Sequence, residues 1–260
     1  MFGRRMVALT ALVAALTLIG CAPDTAPSPS AVALPTPTAT ESPSATPSGE
    51  QSETSVAAIT IEHPAEGQTV SVPFTASGTA DTFEAALTID VVDAEGLARC
   101  VRHLTATSGS GTRGTWQGVL AFPPEEDLLQ ATMRAYTVSA KDGSMADVVE
   151  FPVTVAPDRP EIIMTSPRCG DVYDAGGLVL LTGTASLFEA AFTIELRSAS
   201  TTIMTLPVTA DECCVESQFS SSLTLPGDLA AGFYDVAAYS LSAKDGTREN
   251  EFIVQIEVRA

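Results

Sequence analysis

From about residue 57 onwards, the chain is made of short runs in which apolar and polar residues alternate. Leu87, Ile89 and Val91 fall on one side of an extended strand, and Thr88 and Asp90 fall on the other. Such period-two alternation, bounded by Gly, Pro, Asp and Ser, is typical of antiparallel strands with one buried face. No segment has a sustained helical apolar stripe. The pattern therefore predicts an all-β fold with about seven short strands per 100 residues, as in a β-sandwich.

This β-rich region contains an internal repeat. The segment GTADTFEAALTIDV at 78–91 aligns with GTASLFEAAFTIEL at 183–196, and SAKDG occurs at 139–143 and again at 242–246. The offset is the length of one small domain and too long for a solenoid unit. We therefore expect two copies of one fold, over residues 57–157 and 158–260, with the proline-bearing segment APDRPE at their junction.

The first 20 residues have a different character. Two arginines precede the apolar stretch Met6–Ile19, which is short for a bilayer-spanning helix of about 20 residues and typical of a secretory signal peptide. It ends in Leu-Ile-Gly-Cys at 18–21, which resembles the lipobox of bacterial lipoproteins. The resemblance implies cleavage before Cys21, a lipid such as palmitate on that residue, and a location on the extracytoplasmic face of the cell membrane. The alternative is an ordinary transmembrane anchor.

The segment 21–56 is predicted to be a disordered tether behind the lipidated cysteine. Residues 22–54 contain 25 Pro, Ser, Thr or Ala among 33, without apolar periodicity, so the segment cannot bury enough surface to offset its ordering entropy. Its prolines favour an extended chain that holds the folded part away from the membrane. A proline-rich recognition motif or a glycosylated stalk is the alternative.

Composition and charge exclude several functions. The chain has 13 Lys plus Arg against 32 Asp plus Glu, for a net charge of −19. This argues against nucleic-acid binding, because neutralising phosphates requires clustered cations. The two histidines do not recur: His63 aligns with Ser166, and His103 aligns with Leu206. Since there is also no nucleophile-elbow motif, we interpret both as surface or turn residues and predict no catalytic residues, no cofactor and no enzymatic activity.

Acidic residues cluster at 90–95, at 125–127 and at the junction pair Asp158 and Glu161. None of these clusters has the spacing of a calcium-binding loop. We therefore expect a solvated acidic surface and no metal site.

Four cysteines remain after Cys21, namely Cys100, Cys169, Cys213 and Cys214. In an oxidising compartment, structural disulfides are the expected state, and four cysteines allow three pairings. The leading prediction joins Cys169 to Cys213 or Cys214. Cys100 would then either bridge the two domains through the remaining cysteine or stay free.

Several repeated blocks carry a family resemblance. The first copy opens with Ile59, Pro64, Gly67 and Val70, each copy contains Phe-Glu-Ala, at 83–85 and 188–190, and a tyrosine precedes each SAKDG. Together they resemble the immunoglobulin-like domain found in bacterial spore-germination and related envelope proteins. The resemblance implies two tandem immunoglobulin-like antiparallel β-sandwiches, but a role in germination does not follow from the fold.

Within the Phe-Glu-Ala signature, Phe83, Glu84, Phe188 and Glu189 are interpreted as structural. The two carboxylates are expected to accept backbone N–H groups where the chain enters the next strand. Contact with a ligand is the alternative.

These features predict a non-enzymatic, lipid-anchored cell-envelope protein. Its membrane contact is the lipid on Cys21, and its two domains are expected to act as a binding or spacer module for an envelope protein or a cell-wall polymer. The alternative is an extracellular protease inhibitor that presents the loop SGSGTRG, residues 108–114, with Arg113 as the contact residue.

Overall fold

The structure of the chain is a computed structural model that describes residues 56–260. The predicted signal peptide, the predicted lipidation site Cys21 and the predicted tether up to residue 55 lie outside the described residues. Within residues 56–260 there is no helix long and apolar enough to cross a bilayer. The described part is all-β, as the sequence predicts, with one three-residue 3-10 helix at Phe83–Ala85.

Domain 1 is a sandwich of two sheets. One sheet has three strands in the order β1-β3-β6, and the other has five in the order β2-β8-β7-β4-β5. Neighbouring strands are antiparallel except β2 and β8, which are parallel. The strands are β1 (Ile59–His63), β2 (Thr69–Val70), β3 (Phe74–Ala80), β4 (Ala86–Asp93), β5 (Ala98–Thr105), β6 (Gly114–Leu120), β7 (Leu129–Val138) and β8 (Met145–Val155).

Domain 2 repeats this arrangement. Its three-stranded sheet has the order β14-β11-β9, and its five-stranded sheet has the order β10-β16-β15-β12-β13. Each strand of domain 1 thus has a counterpart at the same place in domain 2, and the prediction of two tandem immunoglobulin-like sandwiches is confirmed. The strands are β9 (Ile162–Ser166), β10 (Val172–Asp174), β11 (Leu178–Ala185), β12 (Ala191–Ser198), β13 (Thr201–Thr209), β14 (Ser217–Thr224), β15 (Gly232–Leu241) and β16 (Arg248–Arg259).

Each domain has its own core between its two sheets. In β4, Leu87, Ile89 and Val91 point into the core of domain 1, as the alternation predicts. The opposite face of the strand differs from the expectation, because Thr88 and Asp90 are also buried. The outer face of β4 is therefore also covered by packed side chains.

A glycine at the same place in each domain explains part of the repeated sequence. A Cβ atom on Gly78 would lie 2.0 Å from the carbonyl oxygen of Thr60, and one on Gly183 would lie 1.9 Å from that of Ile163. In both domains an aromatic ring of the next strand, Trp116 or Phe219, closes over the glycine. The three-stranded sheet can pack this closely only where no side chain is present.

Candidate functional site

A disulfide, an ion pair, two amide hydrogen bonds and a ring stack connect the two domains. There, β5, the edge strand of the five-stranded sheet of domain 1, meets β15, β16 and the β9–β10 turn of domain 2. We call this set of contacts the interdomain clamp. Its members are the disulfide partners Cys100 and Cys169, the ion pair Arg102 and Asp235, and the residues His103, Phe233 and Gln255.

The covalent part of the clamp is a disulfide between Cys100 and Cys169, whose Cα atoms are 4.8 Å apart. Cys100 is fully buried on the core side of β5, and Cys169 packs against the cores of both domains. A bridge between the domains through Cys100 was one of the expected arrangements, but with a different partner.

The predicted bond from Cys169 to Cys213 or Cys214 is wrong, since both of these cysteines are free and exposed. The reason lies in the strand register. The turn that carries Cys169 follows the Ser166 end of β9, whereas the loop that carries Cys213 and Cys214 lies at the Ile162 end of the same strand. The two loops are therefore at opposite ends of β9.

The ionic part of the clamp joins Arg102 to Asp235. Nη2 of Arg102 donates to both carboxylate oxygens, at 2.8 and 2.9 Å, and the arginine is only 8% exposed. Arg197 of domain 2 lies on the other side of the same carboxylate, with its Nε 3.8 Å away. A charge-assisted pair shielded from water in this way is stronger than a surface pair and costly to break from one side.

The amide of Gln255 completes the hydrogen bonding of the edge strand. The backbone N–H of His103 donates to Oε1 of Gln255 at 2.7 Å, and Nε2 of Gln255 donates to the backbone carbonyl of His103 at 3.1 Å. An edge strand presents unpaired backbone groups that must find partners when they are buried. A buried side chain of domain 2 thus takes the place of a further strand.

The imidazole of His103 is part of the same contact. It stacks on the ring of Phe233, with 4.0 Å between the ring centroids, and its Nδ1 lies 3.1 Å from the hydroxyl of Thr88. Burial lowers the pKa of His103, although the charge of Glu257 acts in the opposite direction. The interpretation of His103 as a surface residue is thus corrected. By strand register, the counterpart of His103 in domain 2 is Pro207 and not Leu206. His103 lies opposite Thr88 of β4, and Pro207 lies opposite the equivalent Thr193 of β12. His63 is exposed, as expected.

A second set of charged residues lies on the outer face of each five-stranded sheet, and its ion pairs were not predicted from the sequence. In domain 1, Arg134 donates to both oxygens of the buried Asp90, at 2.8 and 2.6 Å. The hydroxyl of Tyr136 lies 3.2 Å from the same carboxylate. Burial, helped by the negative charge of Asp90, raises the pKa of Tyr136 to about 12.

Domain 2 has a similar group at the corresponding place. Arg248 lies 2.9 Å from the buried Glu195, and its guanidinium lies 4.2 Å above the ring of Tyr239. The sequence contains a signal for these groups, because an acidic residue occupies the same position in both copies, Asp90 in β4 and Glu195 in β12. Because each carboxylate is paired with an arginine, these groups stabilise the outer face of the sheet.

Side chains of the acidic clusters form hydrogen bonds with nearby groups of the protein. The Asp93 carboxylate accepts the backbone N–H groups of Glu95 and Leu97, at 3.2 and 2.8 Å, and Asp158 accepts the hydroxyl of Ser71 across the junction. Over residues 56–260, no group of three or more potential metal ligands converges.

The Phe-Glu-Ala signature forms a tight turn at one end of each domain. Phe83 and Phe188 are 79% and 84% exposed, and Glu84 and Glu189 are exposed beside them. Neither carboxylate takes part in a hydrogen bond among the described residues, which differs from the expectation that their oxygens accept backbone N–H groups.

What the fold requires of the signature is its backbone and its alanine. Glu84 and Ala85 have positive φ values of 55° and 59°, and Ala190 has one of 55°. Ala85 and Ala190 are buried under the turn, at 8% and 6% exposure. The aromatic ring and the carboxylate are thereby left to face outwards in both copies.

The loop at 108–114 is tied to its own domain. Nη1 of Arg113 donates to the hydroxyl of Thr79 at 3.0 Å, and Nη2 donates to the carbonyl of Ala57. The backbone N–H of Gly111 donates to Asp81 at 2.7 Å. A guanidinium held back against the sandwich is poorly placed to enter a protease, so this geometry does not favour the inhibitor hypothesis.

Beside the disulfide, the domains enclose a cleft of about 370 Å³. Its walls are mainly apolar and include Leu97, Phe122 and Met164, with Arg99 and Arg168 at its rim. Arg99 is already paired with Asp93 and Glu125. The residues that line the cleft include no Asp, Glu or His, so it contains no acid–base pair.

Comparison with known proteins agrees with this architecture. Residues 58–144 and 161–247 each match the family model described as the immunoglobulin-like domain of bacterial spore germination. The chain belongs to this family. The two matches fall one in each sandwich, so membership in the spore-germination immunoglobulin-like family confirms both the resemblance and the tandem arrangement. No curated protein sequence matches the chain.

The chain also has partial similarity to several solved structures. The fibronectin(III)-like modules of Clostridium thermocellum CbhA are 14% identical with a TM-score of 0.26, and the match covers 77% of this chain and 94% of that one. A tetra-tandem repeat in the extending region of a large adhesion protein is 16% identical with a TM-score of 0.28, over 75% of this chain and 50% of that one. The teleost fish polymeric Ig receptor ectodomain is 12% identical with a TM-score of 0.25, over 77% and 97%. These TM-scores are too low to bear on function.

Proposed function

We propose that the chain is a non-enzymatic, lipid-anchored protein of the cell envelope that works as a binding or spacer module. Its two immunoglobulin-like domains would present their surfaces, at a fixed mutual orientation, to another envelope protein or to a cell-wall polymer. The interdomain clamp is the observation that carries this proposal. The family membership supports the same reading, because immunoglobulin-like sandwiches commonly serve as binding or structural modules.

The clamp favours a rigid unit over two loosely connected domains. Domains in one chain usually move relative to each other unless their interface is large and apolar. Here a disulfide, a shielded ion pair and a paired amide act together at one edge strand. A module that holds its two domains in a fixed relative orientation is suited to act as a spacer or to contact a partner at two points.

The two signature turns are the surfaces that we assign to the partner. Each presents a largely exposed phenylalanine beside an exposed carboxylate, Phe83 with Glu84 and Phe188 with Glu189. Aromatic rings are enriched among the residues that dominate binding energy. Two such turns on one rigid unit could engage a repeating partner twice, which raises the apparent affinity without any new contact.

Partner capture in intact cells tests this assignment. Chemical crosslinking of the full chain should repeatedly recover one envelope protein or one cell-wall fragment. The double substitution Phe83→Ala with Phe188→Ala should reduce the recovery at least several-fold. The matched control is Leu241→Ala, which removes an apolar side chain of 59% exposure from another site. Equal recovery by the signature variant and the control would contradict the assignment.

The lipid anchor is tested separately. Replacement of Cys21 by alanine should move the protein from the membrane fraction to the soluble extracytoplasmic fraction, because the cysteine carries the proposed lipid. Continued membrane association of the Cys21→Ala variant would contradict lipid anchoring. It would leave the binding role of the two domains open to the crosslinking test.

A further inference from the structure

The loop between β13 and β14 carries two neighbouring thiols. Cys213 and Cys214 are exposed and free, and their Sγ atoms are 3.1 Å apart. The loop sits beside the signature turn of domain 2, since Sγ of Cys214 lies 3.4 Å from the carbonyl oxygen of Phe188. Neither the interdomain clamp nor the proposed binding role uses these thiols.

The backbone of the loop holds both thiols on one side. Side chains of neighbouring residues in an extended segment point in opposite directions. Cys214 departs from that geometry with a φ of 65°, and its backbone N–H donates to the carbonyl of Leu187 at 2.9 Å. At the base of the loop, the Ser217 hydroxyl donates to the Glu212 carbonyl at 2.8 Å and accepts the Glu212 N–H at 3.0 Å.

The same loop geometry occurs in domain 1 without the thiols. Ser110 has a φ of 54°, and its backbone N–H donates to the carbonyl of Thr82 at 2.9 Å. Thr82 and Leu187 each precede the signature phenylalanine of their domain. The turn therefore does not need cysteine for its conformation, and the dithiol is an addition specific to domain 2.

We propose that Cys213 and Cys214 form a redox-active vicinal pair that closes reversibly to a disulfide by exchange with an external disulfide. In the first step, the thiolate of one cysteine attacks a sulfur of the external disulfide and releases one external thiolate. In the second step, the thiolate of the neighbouring cysteine attacks the protein sulfur of this mixed disulfide and releases the second. The two protein thiols lose two protons and two electrons, and the external disulfide is reduced to two thiols.

The spacing of the sulfurs fits this exchange. They must approach by roughly 1 Å to reach a bond of about 2.05 Å. The Cys214 thiol donates to the sulfur of Cys213, and this hydrogen bond is the main cause that raises the pKa of Cys214. Because the thiolate is the attacking form and a raised pKa disfavours it, we assign the first attack to Cys213.

The resulting bond should be much easier to reduce than the bond of the clamp. Adjacent Cα atoms are about 3.8 Å apart, below the usual range for disulfide partners of about 4.4–6.8 Å. Strained and exposed disulfides are the labile ones, whereas buried structural ones resist reduction. The Cys100 and Cys169 Cα atoms, by contrast, are 4.8 Å apart, and Cys100 is fully buried. One chain would thus carry a permanent and a switchable disulfide.

Trypsin separates the two pairs for analysis. Cleavage after Arg197 and Lys244 gives a peptide, 198–244, in which Cys213 and Cys214 are the only cysteines. Cleavage around the clamp gives the peptides 100–102 and 169–197, which stay linked as long as that disulfide persists. The full chain is equilibrated in buffers of reduced and oxidised glutathione, treated with iodoacetamide, digested and weighed by mass spectrometry.

As oxidised glutathione increases, peptide 198–244 is expected to lose two hydrogens and both alkylation sites in one step. The 100–102 and 169–197 pair is expected to stay linked throughout. Two stable glutathione adducts on peptide 198–244, or a link from it to another chain, would overturn the proposal. So would a pair that stays alkylated in the most oxidising buffer.

Single substitutions test the two-step route. In Cys213→Ser and in Cys214→Ser, no neighbouring thiol remains to resolve the mixed disulfide, so each variant should accumulate one glutathione adduct. The adduct should form faster in Cys214→Ser, which keeps the first nucleophile. Absence of adducts in both variants would show that the thiols do not exchange, and the proposal would fail. The linked clamp peptides serve as the internal control for correct folding.

Discussion

Removal of the clamp disulfide is expected to separate the unfolding of the two domains. The perturbation is the double substitution Cys100→Ala with Cys169→Ala, which leaves no lone thiol behind. The cysteines are 69 residues apart in the chain, and the loop between them contains β6, β7, β8, the domain junction and β9. For a loop of this length, the chain-entropy model assigns the bridge about 4 kcal/mol of stabilisation.

The effect can be followed domain by domain. Trp116 is the only tryptophan of the chain and is buried in domain 1, at 3% exposure, so its fluorescence reports that domain. Far-ultraviolet circular dichroism reports both domains. With a urea m-value of about 2 kcal/mol per M, the loss of about 4 kcal/mol lowers the fluorescence midpoint by roughly 2 M. The two signals should coincide in the native chain and separate in the variant.

The matched control is the double substitution Cys213→Ser with Cys214→Ser. It removes the same number of cysteines but leaves the clamp intact, so its urea midpoint should equal that of the native chain. If the clamp variant lost less than about 0.5 M in its midpoint, or if its two signals still coincided, the noncovalent contacts alone would be holding the domains together. The chain-entropy reasoning would then be refuted.

Three further perturbations follow from individual contacts. Gly183→Ala should cost about 3 kcal/mol in thermal unfolding, because its Cβ would lie 1.9 Å from the Ile163 carbonyl oxygen; Gly227→Ala, with no atom within 4 Å of the new Cβ, should leave Tm unchanged. Since the pKa of His103 is lowered in the folded state, the unfolded chain is protonated first, and the free energy of unfolding should fall as pH drops through the ordinary value of 6.5. His103→Gln should reduce this pH dependence in urea titrations. An unchanged pH dependence would contradict the burial of His103. Since the pKa of Tyr136 is raised from 10.0 to about 12, stability should decline as pH rises across that interval; Tyr136→Phe should reduce the decline, and equal declines would argue against the burial of this phenol.

The strands and the repeat could be predicted because both follow from local patterns. Alternating burial produces the period of two seen at Leu87, Ile89 and Val91, and duplication of one fold produces matching sequence blocks at an offset of 103 to 105 residues. The same rule failed for Asp90, which the alternation places on the solvent side. Its burial depends on Arg134 from a neighbouring strand. The residue pattern within one strand does not predict which side chain a neighbouring strand will place beside it.

The Phe-Glu-Ala signature shows a different limit. A repeated motif indicates a shared requirement without saying which atom meets it. Here the requirement is a left-handed turn over a buried alanine, as the φ of 59° and the 8% exposure of Ala85 show. The more conspicuous Phe83 and Glu84 face outwards. Cysteine pairing had the same difficulty, because it depends on which end of β9 each loop occupies.

The two domains contribute different residues to the clamp although they share one fold, so the clamp can form only between domain 1 and domain 2. Strand register places the counterparts of Cys100, Arg102 and His103 in β13 at Met204, Leu206 and Pro207.

These replacements remove every chemical group that β5 contributes. Met204 cannot form a disulfide, Leu206 carries no charge, and Pro207 has no backbone N–H to donate to a glutamine. Proline also protects an edge strand from pairing with another chain. The outer edge of domain 2 therefore cannot repeat the contact made by domain 1. The clamp contact therefore occurs once, between domain 1 and domain 2 of the same molecule.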